Sequence, residues 1–180
     1  MHERRFQGKA DRLRSEERIA RLEVDRVVAS CLEGLHIQSV LDVGVGTGIF
    51  AAAFAGLGAA VTGIDPNRDL LELARHYVPR AELREATAEQ LPFGDDAFDL
   101  VFLGHVLHEV DDARKALTEA RRVAAMRVSI LEWPYLSEEQ GPPLAHRLAP
   151  EAIADMARSA GYRQIDRVNL THMDLYHLLP

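Results

Sequence analysis

Four short stretches of this sequence hold the residue types that ligand binding and catalysis use. The first is Asp42-Val43-Gly44-Val45-Gly46-Thr47-Gly48, three glycines at alternate positions behind an acid. Glycines so placed let the backbone approach a ligand closely, and a helix opening there offers unpaired N–H groups. The second is Asp65-Pro66-Asn67, with Asp65 twenty-one residues past Gly44. A carboxylate at that remove accepts hydrogen bonds from both hydroxyls of a ribose. Turn and acid together point to a nucleoside-containing cofactor; a tight turn that merely opens a capped helix is the bland alternative. The third stretch is residues 86–93. The fourth is Gly104-His105-Val106-Leu107-His108-Glu109. Imidazole titrates in the physiological range, so His105 or His108 is a candidate general base or acceptor-orienting group. Loop capping and packing is the competing role. His-x-x-His-Glu also holds metal-ligand types, but the inverted zinc motif runs His-x-x-Glu-His and no third distant ligand is evident, so no metal is expected.

The kind of cofactor turns on two details. A dinucleotide turn of the Gly-x-Gly-x-x-Gly type needs a glycine at position 49, which is Ile49. Asp42, directly before the turn, opposes a pyrophosphate and suits a cationic ligand, such as one bearing a sulfonium and an ammonium. A nicotinamide-dependent oxidoreductase is therefore the weaker alternative. A non-catalytic module that keeps the pocket is another.

Stepping outward, these stretches need a scaffold that brings them to one edge. Ser15 ahead of Glu16 and Glu17 suits a helix cap, and Ala20, Val24, Val27, Val28 and Cys31 follow helical spacing until Gly34. Short β-branched runs then alternate with helical patterns. Strands are expected at 39–43, 60–64, 81–86, 98–103 and 127–131. Helices are expected at 49–57, after Asn67, at 112–124 and from Pro150 to Gly161. Residues 133–149, with Pro134, Gly141, Pro142 and Pro143, read as a loop. Two final strands at 163–170 and 173–179 are joined by a turn too short for a helix, so they should pair antiparallel. Alternation of this kind predicts a mostly parallel, doubly wound sheet with helices on both faces. Ligands bind such sheets beyond the carboxyl ends of the strands, where all four stretches fall.

Val40-Leu41-Asp42-Val43-Gly44-Val45-Gly46-Thr47-Gly48 resembles the signature turn of class I S-adenosylmethionine-dependent methyltransferases. Ala86-Thr87-Ala88-Glu89-Gln90-Leu91-Pro92-Phe93, then Ala97-Phe98-Asp99-Leu100-Val101 and His105-Val106-Leu107-His108, is similar to the type 11 group, which includes the ubiquinone/menaquinone-biosynthesis methyltransferases. The likeness runs over roughly residues 38–131. It implies a three-layer α-β-α Rossmann-like methyltransferase fold, S-adenosyl-L-methionine as cofactor, and methyl transfer to a small-molecule acceptor. It further implies that Gly44, Gly46 and Gly48 lie against the methionine and ribose, and that Asp42 answers the methionine ammonium. Asp65 would bind the ribose hydroxyls, with Pro66 and Asn67 beside the adenine. Ala88 would offer its N–H to the adenine, and Leu103 and Gly104 would close the methionine end. The family commonly has an acid where this chain has Thr87, which leaves the bond to the adenine amine in doubt. The Lys-Pro-Gly-Gly turn usual before strand five is replaced by Ala124-Ala125-Met126-Arg127.

The remaining sequence sets limits. The chain has 180 residues, 47% hydrophobic and 27% charged, which suits one globular domain, with residues 1–35 as an N-terminal helical lid segment and 36–180 as the catalytic core. Lys and Arg number 21 against 28 Asp and Glu, a net −7, which disfavours nucleic acid. Cys31 is the sole cysteine and reads as inert packing; no disulfide, leader or bilayer span is expected, and the location by default is cytoplasmic. Glu132-Trp133-Pro134-Tyr135 only faintly echoes the box of adenine methyltransferases, so Trp133 and Tyr135 are taken as acceptor-pocket or loop-anchoring residues. Phe6 and Glu109 are further acceptor candidates. His146 and Arg147 are expected in solvent, and His172, Met173 and Tyr176 in packing. A thin cap over the acceptor leaves room for a protein or large acceptor, or for a dimer completing the pocket; the chain is expected to be a monomer or a homodimer.

Overall fold

Ser39–Val43 (β1) is buried along all but its first residue, and Phe98–Gly104 (β4) along most of its length. Strands apolar on both faces belong in the middle of a parallel sheet covered by helices on each side. The computed structural model describes residues 13–180 and shows that arrangement. The other strands are Ala60–Asp65 (β2), Glu82–Glu85 (β3), Ala124–Glu132 (β5), Gln164–Asn169 (β6) and Asp174–Leu179 (β7). They form one sheet in the order β3-β2-β1-β4-β5-β7-β6, a mostly parallel Rossmann-like sheet. β3, β2, β1, β4 and β5 run parallel, and β7 joins β5 and β6 antiparallel.

Side-chain alternation along the central strands splits the core into two layers. Leu41, Val43, Val101, Leu103, Val128 and Ile130 face Ala113–Val123 (α5) and Pro150–Ser159 (α6). Val40, Leu100, Phe102 and Leu131 face Val24–Leu32 (α2), Ile49–Gly56 (α3) and Arg68–Tyr77 (α4). Phe50 and Phe54 both pack on the Phe102 ring. Register puts Val43 opposite Ile64 and Leu103, and Gly104 opposite Leu131. The carboxyl ends of β2, β1, β4 and β5 therefore open onto one crevice, on either side of the point where strand order reverses.

Several elements differ from the sequence reading. The single N-terminal helix is two: Glu16–Arg21 (α1), capped by Ser15, and α2. Between them Glu23 takes left-handed backbone at φ 48°, and its carboxylate accepts bonds from the Thr171 N–H and hydroxyl. That tie holds the break between the two helices against the connection of β6 and β7. β5 begins three residues early, because Ala124 closes α5 and opens the strand with no turn between them. Arg147 is not solvated: its side chain is fully buried and donates to the carbonyls of Pro134, Pro142 and Gln140 and to Glu138. It ties the loop 133–149 together from inside, with four acceptors satisfying the donors of the buried guanidinium. Met173 and Tyr176 are core residues.

Candidate active site

A cavity of about 1080 Å³ fills the crevice at the carboxyl ends of the strands. Its wall starts with the turn after β1. Gly44 has φ +69°, and a Cβ there would come 2.3 Å from Val106 Cγ2. Gly46, at φ +52°, donates its N–H to Asp65 Oδ2 at 3.0 Å. Asp65 Oδ1 accepts the Asn67 N–H at 2.8 Å, so one carboxylate fixes the glycine turn and the start of the next loop. Asn67 caps α4 by accepting from Asp69 and Leu70. Pro66 and Asn67 line the cavity on that side, with Thr87 and Ala88 across from them.

Asp42 ends up almost fully buried in the same wall. Burial pushes its carboxyl up to about 8; the nearby Asp65 adds to the rise, and the Ala51 N–H in the first turn of α3 opposes it. Burial also raises Asp65, against the bonds it accepts from Asn67 and Gly46.

The opposite end of the cavity is built by the loop after β4 and by the end of β5. His105 sits at φ +61°, its N–H bonded to Leu131 O at 2.8 Å and its ring 5.1 Å from that of Trp133. Both ring nitrogens are buried with no hydrogen-bond partner among the described residues. Burial, with help from the Arg18 and His108 charges, holds His105 well below the usual histidine range, so the ring is neutral. His108 is the reverse. Burial works against its charge, but the Glu132 carboxylate, 2.7 Å from Nδ1, and Glu109, 3.8 Å from Nε2, raise it overall. Two histidines three residues apart are thus pushed in opposite directions, the pattern that separates an acid from a base in one site.

The N-terminal elements close the cavity from above. Arg14 donates to Thr47 O at 2.9 Å and stacks 3.5 Å over the Tyr77 ring. Leu13, Arg18 and Leu22 line the wall, and Arg21 pairs with Glu138 of the loop 133–149 at 3.1 Å.

Residues 41–127 match the family described as Methyltransferase domain. Over that stretch the chain is similar to the class I, type 11 methyltransferases. The chain is 38% identical over 93 residues to a demethylmenaquinone methyltransferase of Chlorobaculum parvum, covering 51% of the chain and 39% of that protein. It is 32% identical over 123 residues to the uncharacterized methyltransferase YcgJ of Bacillus subtilis, covering 66% and 49%. The chain thus spans about half or less of the curated relatives it matches. In structure it is similar to a SAM dependent methyltransferase from Aquifex aeolicus, with TM-score 0.83 and 22% identity over 94% of this chain and 96% of that one.

The fold brings most of the expected site residues to one cavity. Asp42, Gly44, Gly46, Asp65, Pro66, Asn67, Thr87, Ala88, Gly104, His105, His108, Glu109 and Trp133 all line it. Three do not. Gly48 turns toward α4, where a Cβ would meet Val78 at 2.6 Å; its place is at a helix–helix contact. Leu103 is wholly buried in the core and off the cavity wall. Tyr135 is 47% exposed and off the wall. Phe6 lies outside the described residues. His146, expected in solvent, is half-buried and on the cavity wall, carried there by the loop that Arg147 holds.

Two wall features escaped the sequence reading. Arg18 enters the cavity with a buried Nε that has no partner among the described residues. The signal was its helical spacing with Arg14 and Leu22. Glu132 was noted only within its tetrapeptide; its signal was an acid directly at the end of a buried parallel strand. Among the described residues no cluster of three or more His, Cys, Asp or Glu could hold a metal, and no helix is long and apolar enough to cross a membrane.

Proposed function

We propose that this chain transfers a methyl group from S-adenosyl-L-methionine to an acidic hydroxyl or carbon of a small molecule. The observation that carries this reading is the pairing, in one cavity, of an acid-flanked glycine turn with a buried, unpartnered histidine. The residues fit the cofactor. The Gly44–Val106 approach leaves no room for a side chain, and the Asp42 and Asp65 carboxyls suit an ammonium and ribose hydroxyls rather than a diphosphate. When bound, S-adenosyl-L-methionine supplies a methyl carbon on a cationic sulfur that departs as a neutral thioether.

The chain's own residues do the rest. Asp42 would hold the ammonium, Asp65 the ribose, and Pro66, Asn67, Thr87 and Ala88 the adenine pocket. The neutral His105 would hold the acceptor group and take the proton that the acceptor atom gives up as it gains the methyl carbon. Trp133, Arg18 and the loop 133–149 would exclude water and fix the approach, which alone is worth several kcal/mol. The names of the relatives favour a quinone-type aromatic acceptor, since one is a demethylmenaquinone methyltransferase and another a ubiquinone biosynthesis O-methyltransferase of Alkalilimnicola ehrlichii. We place the enzyme in the cytoplasm as one domain, monomer or homodimer, with residues 1–35 as a lid, no nucleic-acid partner and no membrane insertion.

Calorimetric titration with S-adenosylhomocysteine, S-adenosylmethionine and NAD tests this directly. Binding of both S-adenosyl ligands and not NAD is expected; tight NAD binding alone defeats the reading. His105→Ala should lower turnover far more than S-adenosylhomocysteine affinity, and equal losses in both would make His105 a structural residue.

A further inference from the structure

We propose that Glu132 is the positioning residue of the acceptor site: it grips His108 from behind so that the ring's other edge serves the cavity as a fixed cationic donor to the acceptor oxygen. The proposal rests on the methyl-transfer reading above, and it begins from contacts that reading does not use. Glu132 is 1% exposed at the last position of β5. It makes two bonds to one residue: Oε2 meets His108 Nδ1 at 2.7 Å, and Oε1 accepts the His108 N–H at 3.2 Å. A two-point hold of this kind sets the ring's orientation and forces Nδ1 to carry its proton, because a carboxylate only accepts.

The consequence is geometric. With Nδ1 committed to Glu132, Nε2 is the edge left for the cavity, which both His108 and Glu109 line. Every charged group around the ring bears on its state. Glu132 on β5 and Glu109 on the ring's own loop favour the cation, while Arg147 from the loop 133–149 opposes it. Asp174, register partner of Glu132 on β7, is neutralised by Arg167 at 2.8 Å and leaves Glu132 to His108. His108 in turn helps to keep His105 neutral, with the ring centroids 6.5 Å apart. One buried carboxylate therefore sets both rings: a cation that steadies negative charge growing on the acceptor oxygen, beside a neutral base that removes its proton.

Glu132→Gln keeps the shape and an acceptor oxygen but removes the charge. Histidine ring ¹⁵N spectra followed through a pH titration read both rings without any acceptor. In the wild type, His108 should titrate above the ordinary histidine range with the proton on Nδ1 throughout, and His105 should stay neutral to mild acid. In Glu132→Gln the His108 midpoint should fall by about one pH unit or more. S-adenosylhomocysteine affinity should stay within about twofold, because Glu132 touches nothing on the cofactor side. An unmoved His108 midpoint overturns the proposal. Should the variant fail to fold, the wild-type spectrum still decides: a neutral His108 at pH 7, or a proton on Nε2 alone, overturns it as well. Loss of S-adenosylhomocysteine binding by the wild type would instead strike the methyl-transfer reading, with the histidine spectra standing as a separate result.

Discussion

Cofactor binding should release a proton, and Asp42 is the group that gives it up. Burial lifts that carboxyl to about 8 in the empty cavity, so at pH 7 it is protonated about nine times in ten. An ammonium needs the carboxylate. Binding at pH 7 must therefore include the cost of ionising Asp42, about 1.4 kcal/mol, and at pH 6 about 2.7 kcal/mol. The sign follows directly: the free protein holds the proton and the complex does not, so affinity rises with pH up to about 8. Between pH 6 and 7.5 the gain is roughly 20-fold. Calorimetry with S-adenosylhomocysteine in buffers of different ionisation enthalpy reads this twice, as a pH-dependent affinity and as nearly one proton released at pH 6 to 6.5. Asp42→Asn should bind more weakly at pH 7.5 and lose both effects. A flat affinity with no buffer dependence in the wild type would refute the reasoning and move the ammonium away from Asp42.

Other outcomes follow from single contacts. Gly44→Ala should destabilise by about 2–4 kcal/mol, from left-handed backbone and from the 2.3 Å approach to Val106. Adding Val106→Ala should recover more than about 1 kcal/mol of it in denaturant unfolding; strict additivity would show that the overlap is not the cause. Asp65→Ala should weaken S-adenosylhomocysteine by about 2–3 kcal/mol, since charge-assisted bonds are lost and the glycine turn is unpinned, and an unchanged affinity places the ribose elsewhere. His177 links Ser30 of α2 to Ser129 of β5, at 3.0 and 2.9 Å, and burial, then Arg127, lowers it to about 4. The unfolded chain binds that proton near pH 6.5 and the folded one only near 4. Its contribution is therefore complete above pH 6.5 and fades as pH falls, by about 3 kcal/mol at pH 4. Unfolding of His177→Gln should show a shallower decline over that window than wild type, and parallel curves would remove His177 from the account.

The scaffold was legible because its signals are local. Alternating β-branched runs and caps at Ser15, Asn67 and Asp112 set the elements, and Gly44, Gly46 and Asp65 mark one wall of the cavity. What escaped depends on distance in space. Nothing near Glu132 in the chain announces His108, twenty-four residues away. Arg147 looked solvated because its four acceptors come from a loop that folds only around it. Gly48 and Leu103 adjoin in sequence residues that line the cavity; the contacts that place them off its wall are properties of packing. The break at Glu23 was invisible for the same reason, since the partner that bends the chain is Thr171.

His105 occupies a conformation that glycine adopts freely and a branched or ring-bearing residue adopts at roughly 1 kcal/mol of strain. Durability and turnover therefore compete at this one position. His105→Gly should relax the main chain and outlast His105→Ala in heat, while both forfeit the imidazole. Selection of a library for thermal resistance alone should drift away from histidine here, and selection for methylation should restore it.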